Sequence, residues 1–192
     1  PPRDVVIESA LWAAAGARPY NNAMSREVRR YCTRYSRYTF DERLRRLATP
    51  EKVLAPQGKT RLWWQPFVYE TPLKDGKRQL VVNLLNIPKE DTRPPRHGKI
   101  KPKYDMPAGT EPATFKLTLP AGMKATAVHL IEPETLEVTP LPLKSNAFTV
   151  PPVAAWKVAI VDFTVAGNRP SLDSRYGAPR TQGVKRKKLK KN

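Results

Sequence analysis

The chain has 192 residues, 35 Lys and Arg against 17 Asp and Glu, a formal net charge of +18, 21 prolines, nine glycines and a single cysteine. That length suits one domain, or one domain with appendages, with a core of its own. One cysteine and two histidines, His97 and His129, exclude a disulfide framework and a zinc site of the usual Cys/His type, so no metal or other cofactor is expected.

In chain order, residues 4–17 (Asp-Val-Val-Ile-Glu-Ser-Ala-Leu-Trp-Ala-Ala-Ala-Gly-Ala) are nearly all apolar or small. They read as a buried helix, or as a helix running into a buried strand; either form needs cover. Between residues 22 and 47, Met24, Val28, Tyr31, Tyr35 and Tyr38 recur at steps of three and four, while Arg26, Arg30, Arg34 and Arg37 take another face. This spacing predicts an amphipathic helix capped by Asn22 or Ser25, then a second short helical piece ending ahead of Pro50. Cys32 sits on this arginine-rich helix, whose charge would lower a thiol pKa; an inert helix cysteine is the reading adopted.

After Pro50 the period changes. Residues 60–70 read as a strand, Lys74-Asp75-Gly76-Lys77 as a tight turn and residues 78–86 as the hairpin partner, because Asp-Gly between apolar runs is a strong hairpin signal. Residues 88–113 form a long loop crowded with Pro, Lys and Arg, and five more short alternating segments follow at 114–119, 125–131, 136–141, 147–150 and 156–165. The fold class predicted is mainly β with N-terminal helices: an antiparallel β-sandwich of about seven strands preceded by two helical segments. The expected division is a helical segment 1–50, a sandwich 51–166 and a tail 167–192. The tail holds nine basic residues and one acidic residue, hence +8 of the +18, and closes with Lys185-Arg186-Lys187-Lys188-Leu189-Lys190-Lys191. Such a segment buries too little apolar area to offset its ordering entropy, so disorder is predicted. The 1–50 segment is too short for a core of its own. It is expected to pack on the sandwich, on a partner subunit, or on an upstream portion that covers 4–17. The chain opens on Pro1-Pro2 without methionine, as a processed or truncated piece would. No run approaches the roughly 18 apolar residues of a membrane span and no signal-peptide pattern is visible, so a soluble chain is expected, with no membrane partner.

The order of Ala10-Leu-Trp-Ala-Ala-Ala-Gly-Ala17 and Arg34-Tyr-Ser-Arg-Tyr-Thr-Phe-Asp41 resembles the end of the catalytic barrel in glycoside hydrolases of the dextranase and cycloisomaltooligosaccharide glucanotransferase type. Leu80-Val-Val-Asn-Leu-Leu-Asn86 is similar to the strand that begins their C-terminal β-sandwich. Phe115-Lys-Leu-Thr-Leu-Pro-Ala-Gly-Met123, Ala127-Val-His-Leu-Ile-Glu-Pro133 and Phe148-Thr-Val-Pro-Pro-Val-Ala-Ala-Trp-Lys-Val-Ala-Ile-Val161 are similar to its later strands. The likeness spans residues 4 to 163. Asn83 stands where that family usually has histidine, and Glu132-Pro-Glu134 replaces a Pro-Asp turn. The resemblance implies a sandwich packed against a barrel. It places the family's catalytic carboxylates on earlier barrel strands, so it carries no catalytic residue onto this chain.

Paired carboxylates of the kind glycoside hydrolysis uses have no candidate here, since Asp4, Glu8, Asp41, Glu42, Glu132 and Glu134 scatter through caps and turns. Trp63-Trp64 is the local feature of most interest, because neighbours in a strand point to opposite faces. One ring can join the core while the other stacks on a sugar, or both can pack. Tyr20 and Asn21, after the expected last barrel strand, are further carbohydrate candidates beside a plain loop reading. Candidates for polyanion binding are Arg30, Arg34 and Arg37 on the helix, Arg96, Lys99 and Lys101 in the loop, and Lys185, Arg186, Lys187 and Lys188 in the tail. The expected function is a non-catalytic C-terminal β-sandwich portion of a glycoside-hydrolase-like protein, supporting its barrel and contacting carbohydrate. The alternative is a basic β protein that binds nucleic acid or another polyanion through tail, loop and helix face.

Overall fold

The computed structural model of the chain describes residues 3–16, 25–73, 77–87 and 109–165. Helix α1 (Arg3–Ala14) is rich in alanine, the best helix former. It stops at Gly16, whose φ of 83° is the left-handed conformation that glycine adopts without steric cost. Val6, Ile7, Ala10, Ala13 and Ala14 are buried, a three-and-four spacing that turns one face inward. Helix α2 (Arg26–Arg34) is capped by Ser25, whose Oγ accepts from the Val28 amide at 3.2 Å. The Ser25 amide in turn donates to Ser9 Oγ at 2.8 Å, so the residue that starts α2 also ties it to α1.

The helical period predicted as far as residue 47 ends earlier. After α2 comes one 3-10 turn, Ser36–Tyr38, and then strand β1 (Arg45–Arg46) pairs with Glu70 and Tyr69. The second helical piece is therefore replaced by an edge strand, and the large sheet begins inside the segment predicted to be helical. Strand β2 (Leu54–Pro56) follows. The predicted strand 60–70 is also divided: Trp63 forms an isolated bridge to Leu85, a 3-10 turn occupies Gln65–Phe67, and β3 is Val68–Pro72. Pro66 is the physical reason, because it lacks the N–H that a continuous ladder needs.

The remaining strands are β4 (Lys77–Leu85), β5 (Ala113–Leu117), β6 (Met123–Glu132), β7 (Glu137–Leu141), β8 (Ala147–Val150) and β9 (Trp156–Val165). They form two antiparallel sheets, ordered β1-β3-β4-β9-β6-β7 and β2-β5-β8. The predicted β3–β4 hairpin is present, with Val68 opposite Val82; its Asp75-Gly76 turn lies outside the described residues. Strands β4 and β9 are apolar on both faces because both faces are covered. Leu80, Val82 and Leu84, with Ala159, Val161 and Phe163, face the small sheet together with Trp64, Phe115 and Phe148. Val81 and Leu85, with Trp156, Val158 and Ile160, join a second core with α1, α2 and Tyr69. The Tyr69 hydroxyl donates to the Ala14 carbonyl at 2.8 Å, fastening the end of α1 to the sheet. The chain's own sheet thus covers the Val6, Ile7, Ala10, Ala13 and Ala14 face of α1, while Trp12 on the other face is 57% exposed. Among the described residues no helix is long and apolar enough to cross a membrane.

Candidate functional site

The adjacent tryptophans separate completely. Trp64 is 1% exposed in the core between the sheets, edge-on to Phe115 at 5.6 Å, so its ring is withdrawn from any ligand at the surface. Trp63 is 37% exposed. Its backbone exchanges bonds of 2.8 and 3.1 Å with Leu85, and Phe67 supports its ring edge-on at 4.8 Å. A partly exposed indole held from behind presents an apolar face of the kind that stacks on a sugar.

The arginine candidates on the helical layer fall on one side of it. Arg30, Arg34 and Arg37 are exposed, and two of them lie on tyrosine rings. The Cζ of Arg37 is 4.5 Å from the Tyr38 centroid and that of Arg34 is 5.9 Å from the Tyr35 centroid, within cation–π range. The two rings are stacked at 6.2 Å. Tyr20, Asn21, Arg96, Lys99, Lys101, Lys185, Arg186, Lys187 and Lys188 lie outside the described residues, as does the tail predicted to be disordered.

Two groupings were hidden in the sequence. On the helix-facing side of the large sheet, Asp162 accepts from Gln79 Nε2 at 2.7 Å and lies 3.5 Å from His129 Nδ1, while Gln79 also lies beside the Tyr38 hydroxyl. These side chains come from the 3-10 turn, β4, β6 and β9, so no local spacing could reveal them. Burial pushes the Tyr38 phenol above its ordinary pKa, opposed by the Arg37 guanidinium and the Gln79 side chain. A phenol raised on folding stabilises the protein fully below the unfolded value near 10, and that contribution is lost as pH rises through the higher folded value. The denaturant midpoint is therefore expected to drop above about pH 10, and to drop less in Tyr38→Phe. Equal alkaline losses in both proteins would refute that assignment.

The second grouping is a cleft of about 420 Å³ between the β6–β7 hairpin and the Pro151–Ala154 connection, carrying Glu132, Glu134, Glu137 and Lys157. Lys157 Nζ holds Glu132 at 2.7 Å. In the sequence, Glu132-Pro-Glu134 was legible only as a turn. Among the described residues no group of three His, Cys, Asp or Glu side chains is placed to hold a metal ion. Cys32 is buried and free of disulfides.

The architecture defines a class: a two-sheet antiparallel β-sandwich whose larger sheet carries a layer of N-terminal helices. Within that class the chain is similar to a solved cycloisomaltooligosaccharide glucanotransferase of Paenibacillus sp., in complex with cycloisomaltoheptaose, with a TM-score of 0.62 and 16% sequence identity. The likeness covers 83% of this chain and 27% of the enzyme chain, which fits the resemblance to the C-terminal portion of such enzymes. No protein-family model and no curated protein sequence matches the chain.

Proposed function

We propose that this chain is the non-catalytic C-terminal β-sandwich portion of a glycoside-hydrolase-like protein, where it supports a catalytic barrel and contacts carbohydrate. The observation that carries this reading is the shared fold with the glucanotransferase over 83% of the chain. Three of the described carboxylates are held in ion pairs, as a supporting role expects. Asp41 is bound by Arg43 at 2.6 Å, Glu70 by Arg78 at 3.2 Å and Glu132 by Lys157 at 2.7 Å, whereas glycoside hydrolysis needs an acid and a base facing one bond. Trp63 is the carbohydrate contact, and the outward face of α1 around Trp12 is where the barrel rests. The chain is expected to release no sugar from α-glucans and to bind them with quenching of indole fluorescence, weakened about tenfold in Trp63→Ala. Turnover by the chain, or glucan binding untouched by Trp63→Ala, would overturn this assignment.

A further inference from the structure

Helix α2 carries a row of exposed arginines. With 3.6 residues per turn, Val28, Tyr31 and Cys32 point into the core and Arg26, Arg29, Arg30 and Arg34 fall on the opposite, exposed side. Arg37 extends the row on the next turn. Among the described residues none of these five guanidiniums is in an ion pair, whereas nearby Arg43 and Arg78 are held by Asp41 and Glu70. Arg26 with Arg30 and Arg30 with Arg34 are like charges four apart, a spacing that destabilises a helix in isolation. An anionic chain laid across the row removes that repulsion. Arg34 and Arg37 are already held against tyrosine rings, and a guanidinium stacked on a ring keeps its in-plane N–H fork for oxyanions.

We infer that this face, Arg26, Arg29, Arg30, Arg34 and Arg37, docks a linear polysaccharide bearing carboxylate or sulfate groups. The inference rests on the reading above that the chain contacts carbohydrate, and adds an anionic glycan on the arginine face to the neutral one at Trp63. A single-stranded nucleic acid fits the observations less well. The tyrosines along the row are buried or lie beneath guanidiniums, which leaves no bare aromatic platform for bases.

The test measures binding of the full chain to dextran sulfate, polygalacturonate, unmodified dextran and a random-sequence DNA duplex, at low and high salt. Dextran sulfate and polygalacturonate are expected to bind at least tenfold more tightly than dextran, and salt should weaken both by screening exposed charges. The combined variant R26Q/R29Q/R30Q/R34Q/R37Q is expected to lose at least tenfold and most of the salt dependence; glutamine keeps helix propensity, and circular dichroism checks the fold. R30Q alone, expected to lose about twofold to threefold, is the second reading should the combined variant unfold. R43Q should bind as the wild type does. Wild-type binding by the five-arginine variant, with the loss appearing instead in K185Q/R186Q/K187Q/K188Q, would overturn the inference, as would tighter binding of DNA than of both polyanionic glycans. Dextran bound as tightly as dextran sulfate would overturn it while leaving the carbohydrate reading intact. Failure to bind any polysaccharide would defeat both.

Discussion

Trp156→Ala is expected to destabilise the protein by about 3–5 kcal/mol, a large part of the roughly 5–15 kcal/mol that a domain possesses. Trp156 is 1% exposed on β9, edge-on to Tyr31 of α2 at 4.8 Å, and its Nε1 donates to Asn83 Oδ1 at 3.3 Å. Asn83 Nδ2 donates in turn to the Phe67 carbonyl at 3.1 Å. The ring therefore joins the helical layer to the large sheet through packing, while its polar chain ties β9 to β4 and to the Gln65–Phe67 turn. Trp156→Phe keeps most of the packing and leaves Asn83 Oδ1 without that donor, at a cost of about 1–3 kcal/mol. Urea unfolding measures both. A Trp156→Ala cost below about 1.5 kcal/mol would mean that the helices are not held by this residue.

Trp64→Ala is expected to cost a similar 3–5 kcal/mol, and its neighbour Trp63→Ala less than about 1 kcal/mol. The difference follows from placement. Trp64 fills the space between the sheets beside Phe115, which stacks on Phe148 at 5.9 Å, whereas Trp63 remains 37% exposed. Among the described residues the buried Trp64 Nε1 meets no hydrogen-bond acceptor, and an unpaired buried donor is itself costly. Trp64→Phe is therefore expected to be milder than Trp156→Phe, even though both remove the same atoms. Denaturant midpoints of the four variants decide the matter. Comparable losses at positions 63 and 64 would refute the opposite placement of the two rings.

Much of this fold was legible in the sequence. The apolar run at 80–85, the alternation in 125–131 and the Pro-rich turns marked strands, and the three-and-four spacing of Val28, Tyr31 and Tyr35 marked a helix. Where the reading failed, the local signal was too short or was overridden. Arg45–Arg46 and Leu54–Pro56 are too brief to show any period, and β1 exists because Glu70 and Tyr69 offer it a ladder. The strand expected across 60–70 ignored the missing donor at Pro66. The carbohydrate candidates divided for the same reason: adjacency in sequence predicts that Trp63 and Trp64 face opposite ways but not which one is inside.

The sequence by itself determined a basic chain with an arginine-faced helix ahead of a mainly antiparallel sandwich, because charge, cap chemistry and hydrophobic period act over a few residues. Only the tertiary structure decided that the large sheet is covered on both sides. It also decided that α1 lies on that sheet, that Trp64 and Trp156 anchor separate cores, and that Tyr38, Gln79, His129 and Asp162 meet. The reason is physical: a period says which residues share a face, whereas the partner of that face is selected by burial and pairing between segments as far apart as Gln79 and Asp162.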